Sequence, residues 1–523
     1  MSNLPSLAAL GRQHVPVGPD GMEIDPLHSV PGSWNQYANH QEILENIVQF
    51  GTLDECRDLI RNCRLSKEFY TTGQRNEYWN DGLLLRGWTL SWDPNANPRL
   101  VFEMICSLSD EHRQLLLGLE NAEKIEAATF QNANLSALST LPPKLKTIES
   151  HAFENANLSA LSNLPPNLTT IDKFAFSGAN LSTLEELPSE LTTINRYAFI
   201  DTNLSSLKRL PSKLWMIEWA TFQNANLSSL KELPPNLTTI EARAFSKANL
   251  STLEKLPSTL AIIQNSAFSE AKLLSLEELP AALTMIRYHV FSKSDLSKLT
   301  KLSPNLTTIK SNAFLGANLS ELRELPSPLT IESHAFEEAN LSKLTKLPPM
   351  RTIQWNAFSQ ANLSALEELP LTLETINSSA FYKAVLSSLE KLPPTLTTIN
   401  WNAFDGANLS SLKELPPTLT TIERNAFANA NLRELTQLTP TLTTIEEGAF
   451  AGANLLSLKE LPPTLKTINK FAFQEADLSS LKELPPNLTT IEDGAFLDAA
   501  LSSLEEFTPT LNMEQSIPPP SQH

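Results

Sequence analysis

Eight histidines, three cysteines and 58 acidic side chains are the groups in this 523-residue chain that could support acid–base, metal or nucleophilic chemistry. His151, His289 and His334 share a column, each three places after an isoleucine. His289 and His334 lie two sequence units apart, roughly 9–10 Å if units stack at strand spacing. A metal ion holds its histidines at about 2 Å, so the column reads as solvated histidines. Cys56 and Cys63 lie seven apart on a predicted helix and share a face. No second Cys or His pair completes a zinc site with them, so they read as buried structural thiols. Cys106 is the last cysteine, so nothing beyond it forms a disulfide, a usage that fits a reducing or redox-indifferent compartment. Glu185-Glu186, Glu277-Glu278 and Glu367-Glu368 are pairs of the type used in general acid–base catalysis. They recur at a column that elsewhere holds Lys-Glu, Glu-Lys or Arg-Glu, which is the pattern of a solvated charge ladder. The motifs G-x-S-x-G, H-E-x-x-H, G-x-x-x-x-G-K and G-x-G-x-x-G are absent. The expectation is a protein with no catalytic residues, no metal and no cofactor.

A different chemistry stands two places after the same isoleucines. That column runs through Ser150, Lys173, Arg196, Trp219, Ala242, Asn265, Tyr288, Ser311, Ser333, Trp355, Ser378, Trp401 and Arg424. Charge recurring at one column means that it faces water, since unpaired charge is not buried repeatedly. Trp219, Tyr288, Trp355 and Trp401 are then large aromatics on a wet face, the side chains that anchor protein interfaces. They are the expected partner-binding residues.

These columns exist because the chain is periodic. Phenylalanine recurs from Phe130 to Phe496 every 23 residues, apart from two steps of 22 at Phe314, Phe336 and Phe358. The unit reads L-P-P-x-L-T-T-I-x-x-x-A-F-x-x-A-N-L-S-x-L-x-x, with a clean copy from Leu415 to Glu434. Both short units lack one residue between Pro and Ile, so that stretch tolerates shortening. A unit this small cannot bury its own core, so neighbours must stack and share one. Thr-Thr-Ile is β-branched and suits a strand. Pro-Pro excludes helix, and Ala-Phe-x-x-Ala permits one short helical turn. The expected fold is an α/β repeat solenoid, a superhelix of about 17 coils and about 80 Å at strand spacing, preceded by a small all-α domain. Asn in Ala-Asn-Leu is expected to hydrogen-bond turn backbone from rung to rung. The sequons at Asn134, Asn157, Asn226, Asn249, Asn167 and Asn305 follow from the consensus and matter only in a glycosylating compartment.

The run P-x-x-L-T-T-I-x-x-x-A-F-x-x-A resembles the BspA-like (Treponema-type) leucine-rich repeats, which share the unit length and the Pro, Ile and Ala-Phe placement. Ala156, Ala179 and Ala225 stand where that class has cysteine. The Pro-x-x-Leu-x-x-Ile/Leu block also resembles the FNIP repeats of amoebal proteins. Before the repeats, Glu42, Ile43, Leu44, Ile47, Phe50, Leu53, Leu59, Cys63, Arg64, Phe69 and Trp79 follow an order that resembles an F-box. Asn39-His40 replaces the usual Leu-Pro. The resemblance implies docking of a Skp-type adaptor through Ile43, Leu44, Ile47, Leu59, Cys63 and Trp79, and a substrate receptor of a ubiquitin ligase or a host-directed effector of that kind. A helical N-cap without a partner is the alternative reading of the segment. The repeats imply a scaffold for a protein ligand, and, as the alternative, a surface or secreted adhesin.

The expected organisation is a poorly ordered segment 1–37, a helical F-box-like cap 38–120, the solenoid 121–513 and a frayed tail 514–523. Val101 to Leu119 is expected to form helices covering the first coil. The net charge of −18 argues against nucleic acid or an anionic membrane as partner, and no apolar run approaches the ~18 residues of a membrane span. The first residues do not read as a secretory signal. A monomer in the cytoplasm of a eukaryotic cell, or delivered into one, is expected, with the cell surface as the alternative.

Overall fold

The computed structural model describes residues 97–503. The F-box-like residues Ile43, Leu44, Ile47, Leu59, Cys63 and Trp79, Cys56, and the segments 1–37 and 514–523 lie outside the described residues. The chain divides into two compact units. From the first, one helix is described, α1 (Pro98–Ser107). It buries Val101, Met104 and Ile105, spaced for one helix face. The second unit opens with α2 (Asp110–Leu117), whose first turn carries Asp110 and Glu111 where acids favour a helix start. A 3-10 turn (Gly118–Asn121) follows. Leu116 and Leu119 are buried, and the His112 ring lies 6.1 Å from that of Phe130, so these two elements cover the first coil.

The rest of this unit is a stack of 23-residue coils. Each contributes a two-residue strand, from β1 (Lys124–Ile125) to β17 (Thr490–Ile491), seventeen in all. Paired strands are parallel and in register, Ile on Ile and Thr on Thr, as in Ile148↔Ile171. Register cannot slip, because one residue would carry the buried Ile to the wet face. Inside, the seventeen phenylalanines from Phe130 to Phe496 are at most 1% exposed. The first two rings stand 5.5 Å apart and 14° from parallel, and the last two 5.3 Å and 9°.

The turn between strand and phenylalanine differs from the helical turn that the sequence suggests. Every coil carries two residues with left-handed backbone, three and seven places after the Ile, and only six of these in the whole stack are glycine. Coil 14 shows the reason. Ala426 and Ala428 donate their N–H groups back within the turn, to the carbonyls of Glu423 and Asn425 (both 3.1 Å). Asn425, Phe427 and Asn429 donate theirs to the next coil, to Glu447, Ala449 and Ala451 (3.0, 2.8 and 2.6 Å). Reversing the sign of φ at these sites aims alternate peptides along the stack, whereas a helix would commit its N–H groups to carbonyls four residues back in the same segment. A left-handed non-glycine residue costs about 1–2 kcal/mol, and each such turn recovers three bonds to its neighbour.

The residue nine places after the Ile, asparagine in twelve of the seventeen coils, forms a further row. Its side chain bridges coils, as in Asn226 Nδ2 to Asn203 Oδ1 and Asn249 Nδ2 to Asn226 Oδ1 (both 3.1 Å). Its Oδ1 also accepts the N–H two residues on, as in Ser159 N to Asn157 Oδ1 (3.3 Å). The sequence suggests bonds to turn backbone from rung to rung; the fold divides the role, the rung-to-rung bond going to the next Asn side chain and the backbone bond staying within the coil. Among the described residues, Asn249 Oδ1 and Asn431 Oδ1 are buried in this row without a hydrogen-bond partner. In the first short unit Leu329 still reaches the core at 7% exposure, and in the second Met350 stands half-buried at that corner. The rings of Phe314, Phe336 and Phe358 also keep their spacing, 5.2 and 5.5 Å, so the shortening is absorbed at the Pro-to-Ile corner.

The strand row is not continuous. Among the described residues it is unpaired between β4 (Thr193–Ile194) and β5 (Met216–Ile217), and between β7 (Ile262–Ile263) and β8 (Met285–Ile286). It is unpaired again between β10 (Thr330–Ile331) and β11 (Thr352–Ile353), and between β13 (Thr398–Ile399) and β14 (Thr421–Ile422). The turn row runs through each break, for example from Phe199 N to Thr221 O (2.9 Å) and from Phe268 N to Val290 O (3.0 Å). The turn row is therefore continuous where the strand row lapses.

Candidate functional site

The column two places after the Ile stands where the sequence put it, with one distinction. Trp355, Trp401 and Tyr288 are 54%, 53% and 45% exposed. Trp219 is half-buried, because its ring meets Tyr197 edge-on at 4.7 Å. The four do not touch one another. Trp219, Tyr288 and Trp355 each belong to the first coil after a break in the strand row, and Trp401 to the last coil before one.

Two features of this face were missed from the sequence. Trp215, 58% exposed, occupies the wet column two places before the Ile, usually threonine. The left-handed column carries a stacked run, His151 on Phe174 (4.9 Å) and Phe174 on Tyr197 (4.5 Å), that ends edge-on against Trp219. Comparing each column with its own consensus would have found Trp215. The stack needed the knowledge that neighbouring members of the histidine column lie ring to ring.

The candidate chemistry at histidines and carboxylates stays dispersed. His151 Nδ1 and His334 Nδ1 each meet a glutamate on their own turn, Glu154 (2.9 Å) and Glu337 (2.7 Å), and His289 is exposed. Among the described residues no group of three or more His, Cys, Asp or Glu is placed to hold a metal ion. Two of the three glutamate pairs face lysines one coil away: Glu185 meets Lys208 (2.6 Å), and Glu368 meets Lys346 (3.3 Å). From Glu186 to Glu414 the second residue of the pair alternates acid and base coil by coil, with Arg209, Lys255, Lys301, Lys346 and Lys391 as the bases. Exposed pairs of this kind stabilise little each, but their alternation cancels the field along the row. A groove of about 900 Å³ follows this row past Leu233, Leu256 and Leu279 and the neighbouring prolines.

One carboxylate is tuned. Burial pushes Asp172 up, but the Lys173 N–H (2.7 Å), the Ser150 hydroxyl (2.9 Å) and Asn195 Nδ2 (2.9 Å) outweigh it, and the group ends below the ordinary range. Of the sequons, Asn134, Asn157, Asn226 and Asn249 lie in the asparagine row. Asn167 and Asn305 are exposed, and their amides donate to the carbonyls of Pro143 (3.2 Å) and Ala281 (2.9 Å). No described helix is long and apolar enough to cross a membrane.

A family model described as the BspA type leucine-rich repeat region matches residues 123–251, 216–342, 307–433 and 374–503. Among solved structures, a leucine-rich repeat protein from Bacteroides ovatus is 21% identical, with 66% of this chain and 85% of that one covered and a TM-score of 0.38. A leucine-rich repeat protein from Eubacterium ventriosum is 17% identical, covering 63% and 86%, with a TM-score of 0.31. A leucine rich cell surface protein from Faecalibacterium prausnitzii is 19% identical, covering 70% and 86%, with a TM-score of 0.28. No curated protein matches the chain.

Proposed function

The chain belongs to the BspA-type leucine-rich-repeat family, and from that scaffold and its exposed side chains we propose a non-catalytic interaction protein whose coils hold a partner protein. One observation carries the reading: Trp355, Trp401 and Tyr288 stand about half exposed at a column that other coils fill with Ser, Asn, Lys or Arg. The fold does not require these rings, and buried at an interface each contributes strongly to affinity. The test is a photo-cross-linking residue at 355 or 401 in the full chain, mixed with extract of the source cells. The captured protein is then titrated against Trp355→Ala and Trp401→Ala. Binding weakens about tenfold or more per substitution, while the melting temperature stays within about 2 °C, since surface changes move stability little. A large loss of stability with intact binding refutes the proposal.

The finer proposal is that residues 38–120 link this partner to a Skp-type adaptor and a ubiquitin ligase, in the cytoplasm of a eukaryotic host. Its support is the order of residues from Glu42 to Trp79 alone. Full-length protein should retain a purified Skp-type adaptor, and Leu44→Asp or Ile47→Asp should abolish retention. Absence of retention removes the ubiquitin link and leaves the scaffold. Surface labelling of intact cells decides for the adhesin alternative.

A further inference from the structure

We infer that the exposed face of coils 4 to 8 seats an acidic polypeptide segment with apolar anchors; the inference rests on the protein-binding reading above and names the partner's chemistry. Seventeen copies of one coil supply an internal standard for what the fold requires. The strand residue before the Ile is threonine in thirteen coils and Lys124 in the first. It is apolar only in coils 5, 7 and 8, as Met216, Ile262 and Met285. Trp215 departs from the consensus in the same place. Trp215 is 58% and Ile262 40% exposed, so these changes do not repair the core. They give the face an apolar centre, with Trp219 and Tyr288 beside it.

Around that centre stand Arg196, Arg243 and Arg287, all exposed and, among the described residues, none in an ion pair. At the column of Arg196 a later arginine is paired, Arg424 with Glu447 (3.1 Å). The acids of this face are Glu218 and Glu241, both half-buried, so the fringe is left with one net positive charge in a chain of net −18. A local excess of guanidinium over a strongly acidic background selects an acidic partner and sets its orientation. The apolar centre selects for apolar side chains on that partner, because only these gain from leaving water there. A polyanion without them is repelled by the rest of the chain. Five coils at strand spacing span roughly 20 Å, the length of about six extended residues.

The test titrates full-length protein at low salt with four labelled twelve-residue probes. They are a peptide alternating Glu or Asp with Phe or Leu, the same peptide with Lys for the acids, the same with Ser for the apolar residues, and single-stranded polyuridine. The acidic apolar peptide should bind best. Its affinity should fall about tenfold or more in Arg196→Glu/Arg243→Glu/Arg287→Glu and in Trp215→Ser. Leu371→Ser, an exposed change on coil 12, should leave it unchanged, and circular dichroism verifies that each variant folds. Preference for the lysine peptide, for the serine peptide or for the RNA overturns the inference, and so does equal binding by the arginine variant. Cross-links from 355 or 401 without peptide binding at coils 4 to 8 leave the scaffold function standing and remove this inference. No capture at any coil removes both.

Discussion

Replacing Phe268 by alanine tests whether the stack is held together only by nearest neighbours. The ring is fully buried, 5.4 Å from Phe245 and 5.6 Å from Phe291, within 10° of parallel to both. Truncating a buried phenylalanine costs about 3–5 kcal/mol through lost transfer energy and the cavity left behind. Close packing against two flanking rings, which the backbone bonds on either side hold at fixed spacing, places this site near 4 kcal/mol. Phe496, in the last strand-bearing coil, has one described ring neighbour, Phe473 at 5.3 Å, and Phe496→Ala should cost about half as much. If coils couple only to their neighbours, the central cavity weakens two interfaces at once. Urea unfolding of Phe268→Ala, followed by circular dichroism, should then separate into two transitions. Hydrogen exchange should show lost protection confined to coil 7 and the coils on either side. Equal losses for the two variants, or protection lost evenly from coil 1 to coil 17, would refute the nearest-neighbour account.

Three further expectations can be checked on the same protein. Asn226→Ala removes the bonds to Asn203 and from Asn249 (both 3.1 Å); it should lower stability by about 2 kcal/mol, and a loss below 0.5 kcal/mol in urea titration would show the row to be ornamental. Gly448→Ala places a Cβ at φ +63°, against Asn425 Oδ1, and should cost about 1–2 kcal/mol, whereas Ser379→Gly, at φ 55°, should raise the melting temperature; the opposite signs would deny that the turns store strain. Asp172 is held below the ordinary carboxylate range, so its contribution is present above that range and lost as pH falls through the folded value; Asp172→Asn should flatten the acid limb of the stability curve, and an unchanged limb would remove Asp172 as its source.

The repeat, its stacking and its buried columns were legible because a 23-residue period leaves the chain no other way to bury Phe, Leu and Ile. The Asn row was legible for the same reason, since an amide repeated at one position must find its partner one rung away. The exposure of Trp355 and Trp401 followed from charged residues sharing their column, as Lys173 and Arg424 do. The backbone sense of the turn was not legible. Residues as different as His151, Phe174, Arg243 and Gly494 occupy the same left-handed site, because inter-coil hydrogen bonds override local preference there.

By itself, the sequence determined the unit, the order of its columns and which of them face water, since burial of apolar groups and solvation of charge depend on pattern alone. The tertiary structure alone decided where the strand row parts. It alone brought His151, Phe174 and Tyr197 ring to ring against Trp219. Among the described residues it also left Arg196 without a carboxylate while Arg424, at the same column, found Glu447. These outcomes depend on how one coil sits on the next, a relation between residues about 23 apart that no single unit encodes.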